Sequence, residues 1–270
     1  MMTTRFSLIG PGAVGSALAR ALVASGYRIE TVVGEAPSVG RKLARDLGAR
    51  WTVELGQIQA DTGIILIAVP DSEVEKVARK LSRQDLPWRR IAVLHTAGVL
   101  GLEPLKPLER KGAGVGACHP FQTFPRRGRT PLLAGVTFGV DGNARGLRAA
   151  RKIARDLGGK PLQISGQQRV LYHLAAVLAC GFVSANLLMA QRVLCALGIS
   201  EGRAREAILP IASGTISNIK ELGVRAAMTG PAVRGDRTTI RKHLAELRKL
   251  DPELAKVYGK ISGWVMGKGE

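Results

Sequence analysis

The stretch "SLIGPGAVGSALARAL" (residues 7–22) carries Gly10, Gly12 and Gly15 in the spacing G-x-G-x-x-G. It begins in an apolar run predicted as a strand and continues into a segment whose apolar residues recur at helical spacing. In this context the pattern is typical of a turn that binds a dinucleotide pyrophosphate. The first glycine permits the turn, the second admits the phosphates, and the third packs the helix on the strand. A glycine-rich turn without a ligand is the alternative.

Beyond this turn, strand-like and helix-like patterns alternate up to about residue 165. The run "TGIILIAVP" (residues 62–70) is almost entirely apolar, as is typical of a strand buried on both faces of a parallel sheet. Asp71, directly after it, is predicted to cap a helix. We therefore predict the α/β class, with a Rossmann-type, doubly wound and mostly parallel sheet in residues 1–165.

Residues 166–270 show no clear strand pattern, which predicts an all-α second domain. Its first segment, residues 167–198, reads as one long helix that is too apolar to have only one buried side. A partner subunit is the simplest cover for the further apolar face. We therefore predict a homodimer through the helical domain. Asp236 is predicted to cap a later helix of this domain.

Three features of the sequence indicate where in the cell the protein is located. No apolar run is predicted to reach the roughly 20 residues of a membrane span. The N-terminus lacks the charged, apolar and small-residue regions of a signal peptide. The three cysteines, Cys118, Cys180 and Cys195, are odd in number and lack metal-ligand spacing. These features predict a cytoplasmic protein with reduced thiols, no membrane contact and no metal site.

The 270 residues include 40 Lys and Arg against 21 Asp and Glu, a formal net charge of +19. Nucleic-acid binding is one interpretation, since Lys and Arg neutralise phosphates. The basic residues are scattered, however, and aromatic residues make up only 4% of the chain, which leaves few platforms for stacking bases. We favour a basic surface that attracts anionic cofactors and substrates.

In an open parallel sheet, a dinucleotide binds outside the carboxyl ends of the strands. A carboxylate after the second strand accepts hydrogen bonds from the ribose hydroxyls, so Glu35 favours NAD(H) over NADP(H), although the nearby Arg41 and Lys42 suit a 2′-phosphate. A solvated loop position is the alternative for Glu35. The residues predicted to bind the cofactor are Gly10, Pro11, Gly12, Ala13, Val14, Gly15, Glu35, Ala68, Val69, Pro70, Thr96 and Gly98.

Two of the four histidines follow apolar runs at predicted strand ends, His95 in "VLHTAG" and His119 in "CHPFQTF". Both are candidates for a proton donor or a substrate anchor, because imidazole titrates near neutral pH. A structural strand-end position is the alternative for each. His173 lies near the start of the long helix, where a core position is the alternative. The predicted catalytic residues, with Thr96 and Gln122 orienting the substrate, are His119, His173, His95, Thr96 and Gln122.

Six motifs spread over nearly the whole chain carry a family resemblance. They are "GPGAVG", "AVPD", "LHTAG", "HPFQTF", "YHLAAVLA" and "GPAVRGD". Together they resemble a group of two-domain proteins with a Rossmann-like domain and a helical domain of unknown function. More distantly, the layout is similar to pyrroline-5-carboxylate reductase, ketopantoate reductase and the 3-hydroxyacid dehydrogenases. The resemblance implies NAD(P)-dependent hydride transfer in a cleft between the domains, and dimers built through the helical part.

The chain departs from these relatives at three positions. The 3-hydroxyacid dehydrogenases use a lysine early in the long helix, where this chain offers His173. The closer group commonly has an asparagine in place of Gly181, which bears on a substrate contact, and an arginine in place of Glu35, which bears on NADP(H) preference. We predict an NAD(P)-dependent oxidoreductase acting on a small anionic keto or hydroxy acid, or on an imine or amine. A non-catalytic NAD(P)-binding sensor or partner-binding protein is the alternative.

Overall fold

A computed structural model describes residues 3–125 and 132–268 of the chain. The chain divides into two compact units, Met1–Cys180 and Gly181–Glu270. The first unit contains the sheet that carries the glycine turn. The second unit is helical throughout its described elements.

The first unit is built on an eight-stranded sheet with the order β3-β2-β1-β4-β5-β6-β7-β8. Every neighbouring pair is parallel except β6 and β7, which are antiparallel. The predicted Rossmann-type, mostly parallel sheet is therefore confirmed. The strands are β1 Arg5–Ile9, β2 Arg28–Val33, β3 Arg50–Thr52, β4 Ile64–Ile67, β5 Ala92–His95, β6 Gly114–Pro120, β7 Thr137–Gly142 and β8 Lys160–Gln163.

Ten described helices accompany the sheet and form the second unit. Those of the first unit are α1 Ala13–Ala24, α2 Pro37–Leu47, α3 Val74–Leu81, α4 Lys106–Glu109, α5 Ala144–Asp156 and α6 Arg169–Ala179. Those of the second unit are α7 Gly181–Ala196, α8 Glu201–Leu222, α9 Arg237–Leu250 and α10 Pro252–Lys268. The helical patterns of the sequence cover nine of them, with α6 and α7 read as one segment, and the exception is the four-residue α4.

The sheet separates two apolar cores, and β4 contributes to both. Ile64 and Leu66 pack into one core, whereas Ile65 and Ile67 pack into the other. All four side chains are buried. Because alternate side chains of a strand point to opposite faces, a strand covered on both sides needs an uninterrupted apolar run. This is the physical reason for the pattern seen in the sequence.

Two predicted helix caps have different outcomes. Asp236 caps α9, because its side chain accepts a hydrogen bond from the backbone N–H of Thr239 at 3.0 Å. Asp71 does not cap α3. The residue before that helix is Glu73, and Asp71 instead opens a short 3₁₀ turn without a capping hydrogen bond from its side chain. The carboxylate of Asp71 is therefore free for another role.

The apolar segment predicted as one long helix is interrupted at Cys180, where the backbone leaves helical geometry and α6 gives way to α7. By length and composition, Gly166–Ala196 could cross a membrane, with a mean hydropathy of 1.8 over an 18-residue window and none of that window buried. The expectation that no apolar run reaches this length is wrong. One apolar segment of this kind is weak support for a membrane span, because apolar helices also form protein interfaces.

Candidate active site

The glycine turn joins β1 to α1 at the carboxyl edge of the sheet. Gly10 has a φ of +95°, and a Cβ there would lie 2.6 Å from the carbonyl oxygen of Ala68. A Cβ on Gly15 would collide with the carbonyl oxygen of Gly10. Only glycine satisfies both requirements, one for the turn and one for the close packing of the helix on the strand.

Gly12 has the opposite surroundings. A Cβ there would meet no protein atom within 4 Å, and Gly12 lines a cavity. Helix α1 begins directly after it and has no acidic residue in its first turn. The free N–H groups and the positive end of the helix dipole therefore face open space, an arrangement that fits a pyrophosphate.

The cavity has a volume of about 1770 Å³ and runs along the carboxyl ends of the central strands. Its lining residues all belong to the first unit. Most residues predicted for the site line it, namely Gly10, Pro11, Gly12, Ala13, Val14, Glu35, Ala68, Val69, Pro70, Thr96, Gly98, His119, Gln122 and His173. Gly15 and His95 are absent from this lining. Gly15 instead packs α1 on the sheet, the role predicted for the third glycine.

Three cations that sequence reasoning missed also line the cavity. Lys76, Lys80 and Arg83 lie on α3 and the turn that follows it, at spacings of four and three residues. This spacing places them on one helical face, and that pattern could have revealed them. Arg41, considered for a 2′-phosphate, is absent from the lining. Its guanidinium lies 4.6 Å from the ring centroid of Trp51.

His119 lies on β6 and is fixed on one side of its ring. Its Nδ1 lies 3.0 Å from the hydroxyl of Tyr172 on α6. The His173 ring, also on α6, is 6.1 Å away between centroids and nearly perpendicular. Burial lowers the pKa of His119 to about 4, helped first by the positive charge of Arg169 and then by electrostatic interaction with the rings of His173 and His95. The imidazole is therefore neutral at pH 7.

Gly98 follows β5 and separates the two histidines of the cavity. A Cβ on Gly98 would lie 2.5 Å from Cδ2 of His173 and 2.8 Å from Nε2 of His119. The glycine thus allows both rings to approach the same backbone. Because Gly98 has no side chain, none stands between it and Nε2 of His119, the ring nitrogen opposite the Tyr172 contact.

His95 does not reach the cavity. It is fully buried, and its Nε2 lies 2.9 Å from the carbonyl oxygen of Gly101. Burial lowers its pKa to about 4, with a further contribution from the positive charge of Arg169, while the hydrogen bond to Gly101 opposes the shift. The structure thus favours the structural alternative for His95, because this ring holds the loop after β5 rather than facing a ligand.

Arg169, at the start of α6, is another residue that sequence reasoning overlooked. It is fully buried, and its Nη2 donates to the carbonyl oxygen of Ala97 at 3.0 Å. Among the described residues, no carboxylate oxygen lies within 4 Å of its guanidinium. A buried cation without a close anion is costly to stability. Because no carboxylate neutralises it, its charge acts on nearby groups and lowers the pKa values of His95 and His119.

Asp71, Gln122 and Cys118 complete the surroundings. Asp71 lines the cavity, and burial raises the pKa of its carboxyl, opposed by His173 and Arg169. It was overlooked because its position suggested a helix cap. The Oε1 atom of Gln122 accepts a hydrogen bond from the backbone of Thr123 at 2.9 Å. Cys118 precedes His119 on β6, and its burial raises the pKa of its thiol to about 12.

Comparison with known families assigns both parts of the chain. Residues 2–120 match the Rossmann-like domain, and residues 136–263 match the domain of unknown function DUF2520. The chain combines a Rossmann-like domain with a DUF2520 domain. The two-domain resemblance inferred from the six motifs is therefore confirmed. The domain boundary after residue 165 stays a prediction.

Three solved structures share this layout. A candidate NADP oxidoreductase from Bacteroides fragilis is 25% identical over 98% of this chain and 99% of its own, with a TM-score of 0.84. A reductive aminase from Aspergillus terreus, in complex with NADPH and ethyl-5-oxohexanoate, is 16% identical over 99% and 95%, with a TM-score of 0.72. The 1-pyrroline-5-carboxylate reductase of Streptococcus pyogenes is 15% identical over 98% and 99%, with a TM-score of 0.66.

The last two structures share the fold of this chain, at identities too low to extend to activity. Their presence agrees with the distant similarity to pyrroline-5-carboxylate reductase drawn from the sequence. No curated protein sequence matches the chain.

Proposed function

We propose that this DUF2520 protein is an NAD(P)-dependent oxidoreductase that transfers a hydride to or from a small substrate in the cavity of its first unit. One observation carries the proposal: the glycine turn and the pair His119 and His173 line the same cavity. The fold places both at the carboxyl ends of the strands, where Rossmann-type sheets bind dinucleotides. The candidate NADP oxidoreductase of Bacteroides fragilis, similar over the full length, supports the same assignment.

In this function the nicotinamide cofactor supplies the hydride, and the protein supplies positioning. The N-terminus of α1 and the open space at Gly12 would hold the pyrophosphate. Nε2 of His119 is the group suited to hydrogen-bond the substrate oxygen or nitrogen that changes in the reaction. Because its ring is neutral at pH 7, it would polarise this atom as a hydrogen-bond partner rather than as a permanent cation.

The substrate proposed is a small anionic keto or hydroxy acid, or an imine or amine that carries a carboxylate. The buried guanidinium of Arg169 supports an anionic substrate, because its charge acts on the cavity residue His119 and has no carboxylate partner within 4 Å in the described residues. The net charge of +19 would further attract such molecules.

The choice between NAD(H) and NADP(H) depends on groups of opposite charge in one cavity. Glu35 favours NAD(H) because it accepts hydrogen bonds from ribose hydroxyls and repels a 2′-phosphate. Lys76, Lys80 and Arg83 favour NADP(H) because they offer positive charge to that phosphate. On the basis of Glu35, we propose NAD(H) as the preferred cofactor. Replacing it, as in Glu35→Gln, is expected to raise the affinity for NADPH relative to that for NADH.

The test is a titration of the protein with NADH and NADPH, read by energy transfer from its three tryptophans. Gly12→Ala is the sharpest variant, since the added methyl group meets no protein atom but enters the proposed pyrophosphate space. We expect at least a tenfold loss of affinity with unchanged melting temperature. Gly214→Ala, in α8 and equally free of contacts, is the matched control. Failure of the wild type to bind either cofactor would overturn the proposal.

We also propose that the protein is a homodimer assembled through its helical part. Helices α6 to α8 expose large apolar side chains that a monomer would leave in water. A second copy would cover them, and light scattering after gel filtration should give twice the monomer mass of 28.7 kDa. A monomer at micromolar concentration would contradict this. The exposed side chains include Val170, Leu171, Leu174, Phe182, Leu188, Leu209 and Ile211.

A further inference from the structure

The hydroxyl of Tyr172 has a single proton to donate and lies near three polar groups. It lies 3.0 Å from Nδ1 of His119, 3.1 Å from the backbone N–H of Gly139 and 3.3 Å from the carbonyl oxygen of His119. His119 on β6 and Gly139 on β7 are opposite each other in the sheet. The hydroxyl thus links the His119 ring on β6 to the backbone of the neighbouring strand β7.

Packing keeps the hydroxyl in this position. A Cβ on Gly139 would lie 2.6 Å from Cζ of Tyr172, so only glycine leaves room for the phenol. The ring of Phe121 lies 5.1 Å away between centroids, against another side of the phenol. Burial raises the pKa of Tyr172 to about 12, so the hydroxyl keeps its proton at neutral pH. The question is which acceptor takes that proton.

Two hydrogen-bonding arrangements are compatible with these contacts. In the first, the hydroxyl donates to Nδ1 of His119 and accepts from Gly139, which puts the ring proton of His119 on Nε2. In the second, the hydroxyl donates to the carbonyl oxygen of His119 and accepts from both Gly139 and Nδ1–H, which leaves Nε2 with a lone pair. A neutral imidazole has these two tautomers, and the hydrogen bond at one nitrogen determines the state of the other. Neither arrangement leaves a buried donor unpaired.

We propose that Tyr172 is a positioning residue whose rotating hydroxyl allows the neutral His119 ring to present either an N–H or a lone pair at Nε2 beside Gly98. The ring of His119 meets the conditions, since it is neutral at pH 7 and has Tyr172 on Nδ1 and Gly98 beside Nε2. No movement of the backbone or of the ring is needed.

Resting on the proposed oxidoreductase function, this inference explains how one residue serves both directions. An oxidised substrate offers an acceptor, a C=O or C=N group, which requires N–H at Nε2. The reduced substrate offers an O–H or N–H donor, which the lone pair at Nε2 accepts. In passing from the first state to the second, the ring gives the proton of Nε2 to solvent and takes up one at Nδ1, so its proton count is unchanged. Rotation of the hydroxyl keeps Nδ1 hydrogen-bonded in both states.

The experiment is a long-range ¹H–¹⁵N correlation spectrum of the ¹⁵N-histidine-labelled full chain at pH 7.5, without cofactor. In the wild type, both ring nitrogens of His119 are expected at shifts between the limits for a protonated and a bare nitrogen. In Tyr172→Phe, we expect them at the two limits, with Nδ1 bare, because an Nδ1–H would lose its buried acceptor. Because the spectrum needs neither cofactor nor turnover, its outcome is independent of the proposed activity.

Tyr258→Phe is the matched control. Tyr258 makes the same hydroxyl-to-Nδ1 contact with His243, so this variant should change the His243 signals and leave those of His119 in place. If the wild type already shows one His119 nitrogen at the protonated limit and the other at the bare limit, the proposal is overturned whatever the variants show. If Tyr172→Phe does not fold, 3-fluorotyrosine at the three tyrosines gives a stronger donor and should move His119 towards Nε2–H. Unchanged His119 shifts would then contradict the inference.

Discussion

Two histidine–tyrosine pairs occur in this protein with the same atoms in contact. In the first unit, Nδ1 of His119 lies 3.0 Å from the hydroxyl of Tyr172, and the ring centroids are 5.4 Å apart. In the second unit, Nδ1 of His243 lies 2.7 Å from the hydroxyl of Tyr258, with centroids 5.7 Å apart. By residue type and local geometry the pairs are nearly equivalent.

Their surroundings differ. The first pair is partly buried and its imidazole lines the large cavity. Burial, and then the cation Arg169, lower the pKa of that imidazole. The second pair is exposed, on helices α9 and α10. The comparison teaches that a histidine–tyrosine contact becomes a candidate site only through burial, neighbouring charge and access to a cavity.

The largest expected difference between the pairs is in turnover. We expect His119→Ala to lower the rate of nicotinamide oxidation by roughly 100- to 10,000-fold, the range typical of a lost acid–base or hydrogen-bonding group. His243→Ala should leave the rate within about twofold. The assay uses a cyclic imine or keto acid that the wild type reduces, with cofactor affinity measured in parallel. Equal rates in wild type and His119→Ala would remove the distinction between the pairs.

The second expected difference concerns acid stability. The folded-state pKa values of His95 and His119, about 4, lie below the usual 6.5, so the unfolded chain takes up protons first as the pH falls. The stability from these neutral rings is present above pH 6.5 and lost as the pH falls to about 4, on the order of 3 kcal/mol for each. Urea unfolding at several pH values measures it. His119→Gln should flatten this dependence, and His243→Gln should not.

The third prediction uses glycine to disturb the first pair alone. Gly98→Ala places a methyl group against the rings of both cavity histidines, and overpacking of this kind costs about 1–3 kcal/mol. Gly214→Ala, in α8, meets no atom and should be neutral or stabilise by up to about 1 kcal/mol. Thermal unfolding compares the two variants. A neutral Gly98→Ala would mean that the histidines have more room than their positions indicate.

The smallest expected difference is the stability contributed by each hydroxyl. Tyr172→Phe leaves the N–H of Gly139 and Nδ1 of His119 without their partner, which costs about 1–2 kcal/mol for buried groups. Tyr258→Phe should cost only a few tenths of a kcal/mol, because water replaces an exposed hydroxyl. Urea unfolding at pH 7.5 gives both values, and similar losses would contradict the role of burial.

The fold was largely predictable because its strongest signals are local. The glycine turn, the apolar run of β4 and the helical spacing of α1 each result from residues adjacent in sequence. The exception among the strands is β3, whose three residues are too few to show a pattern. The break at Cys180 was missed for a related reason, since apolar spacing continues through it.

The candidate site was predictable only in part, because it depends on contacts between distant residues. His119 and Tyr172 are 53 positions apart, and only the packing of α6 near β6 brings them together. Arg169 looked like the first residue of an apolar helix, and Asp71 looked like a cap. His95 illustrates the converse, since its strand-end position suggested a site whereas its ring points into the protein.

Cys118 gives the candidate site a built-in reporter. Its thiol is buried, has a pKa of about 12 and directly precedes His119 on β6. A thiol in this state reacts with an alkylating reagent only when the strand opens, so its modification rate measures the free energy of local opening. Mass spectrometry of the peptide that contains it would follow how firmly the histidine strand is held. A bound ligand should slow the reaction, so ligands could be recognised before any substrate is known.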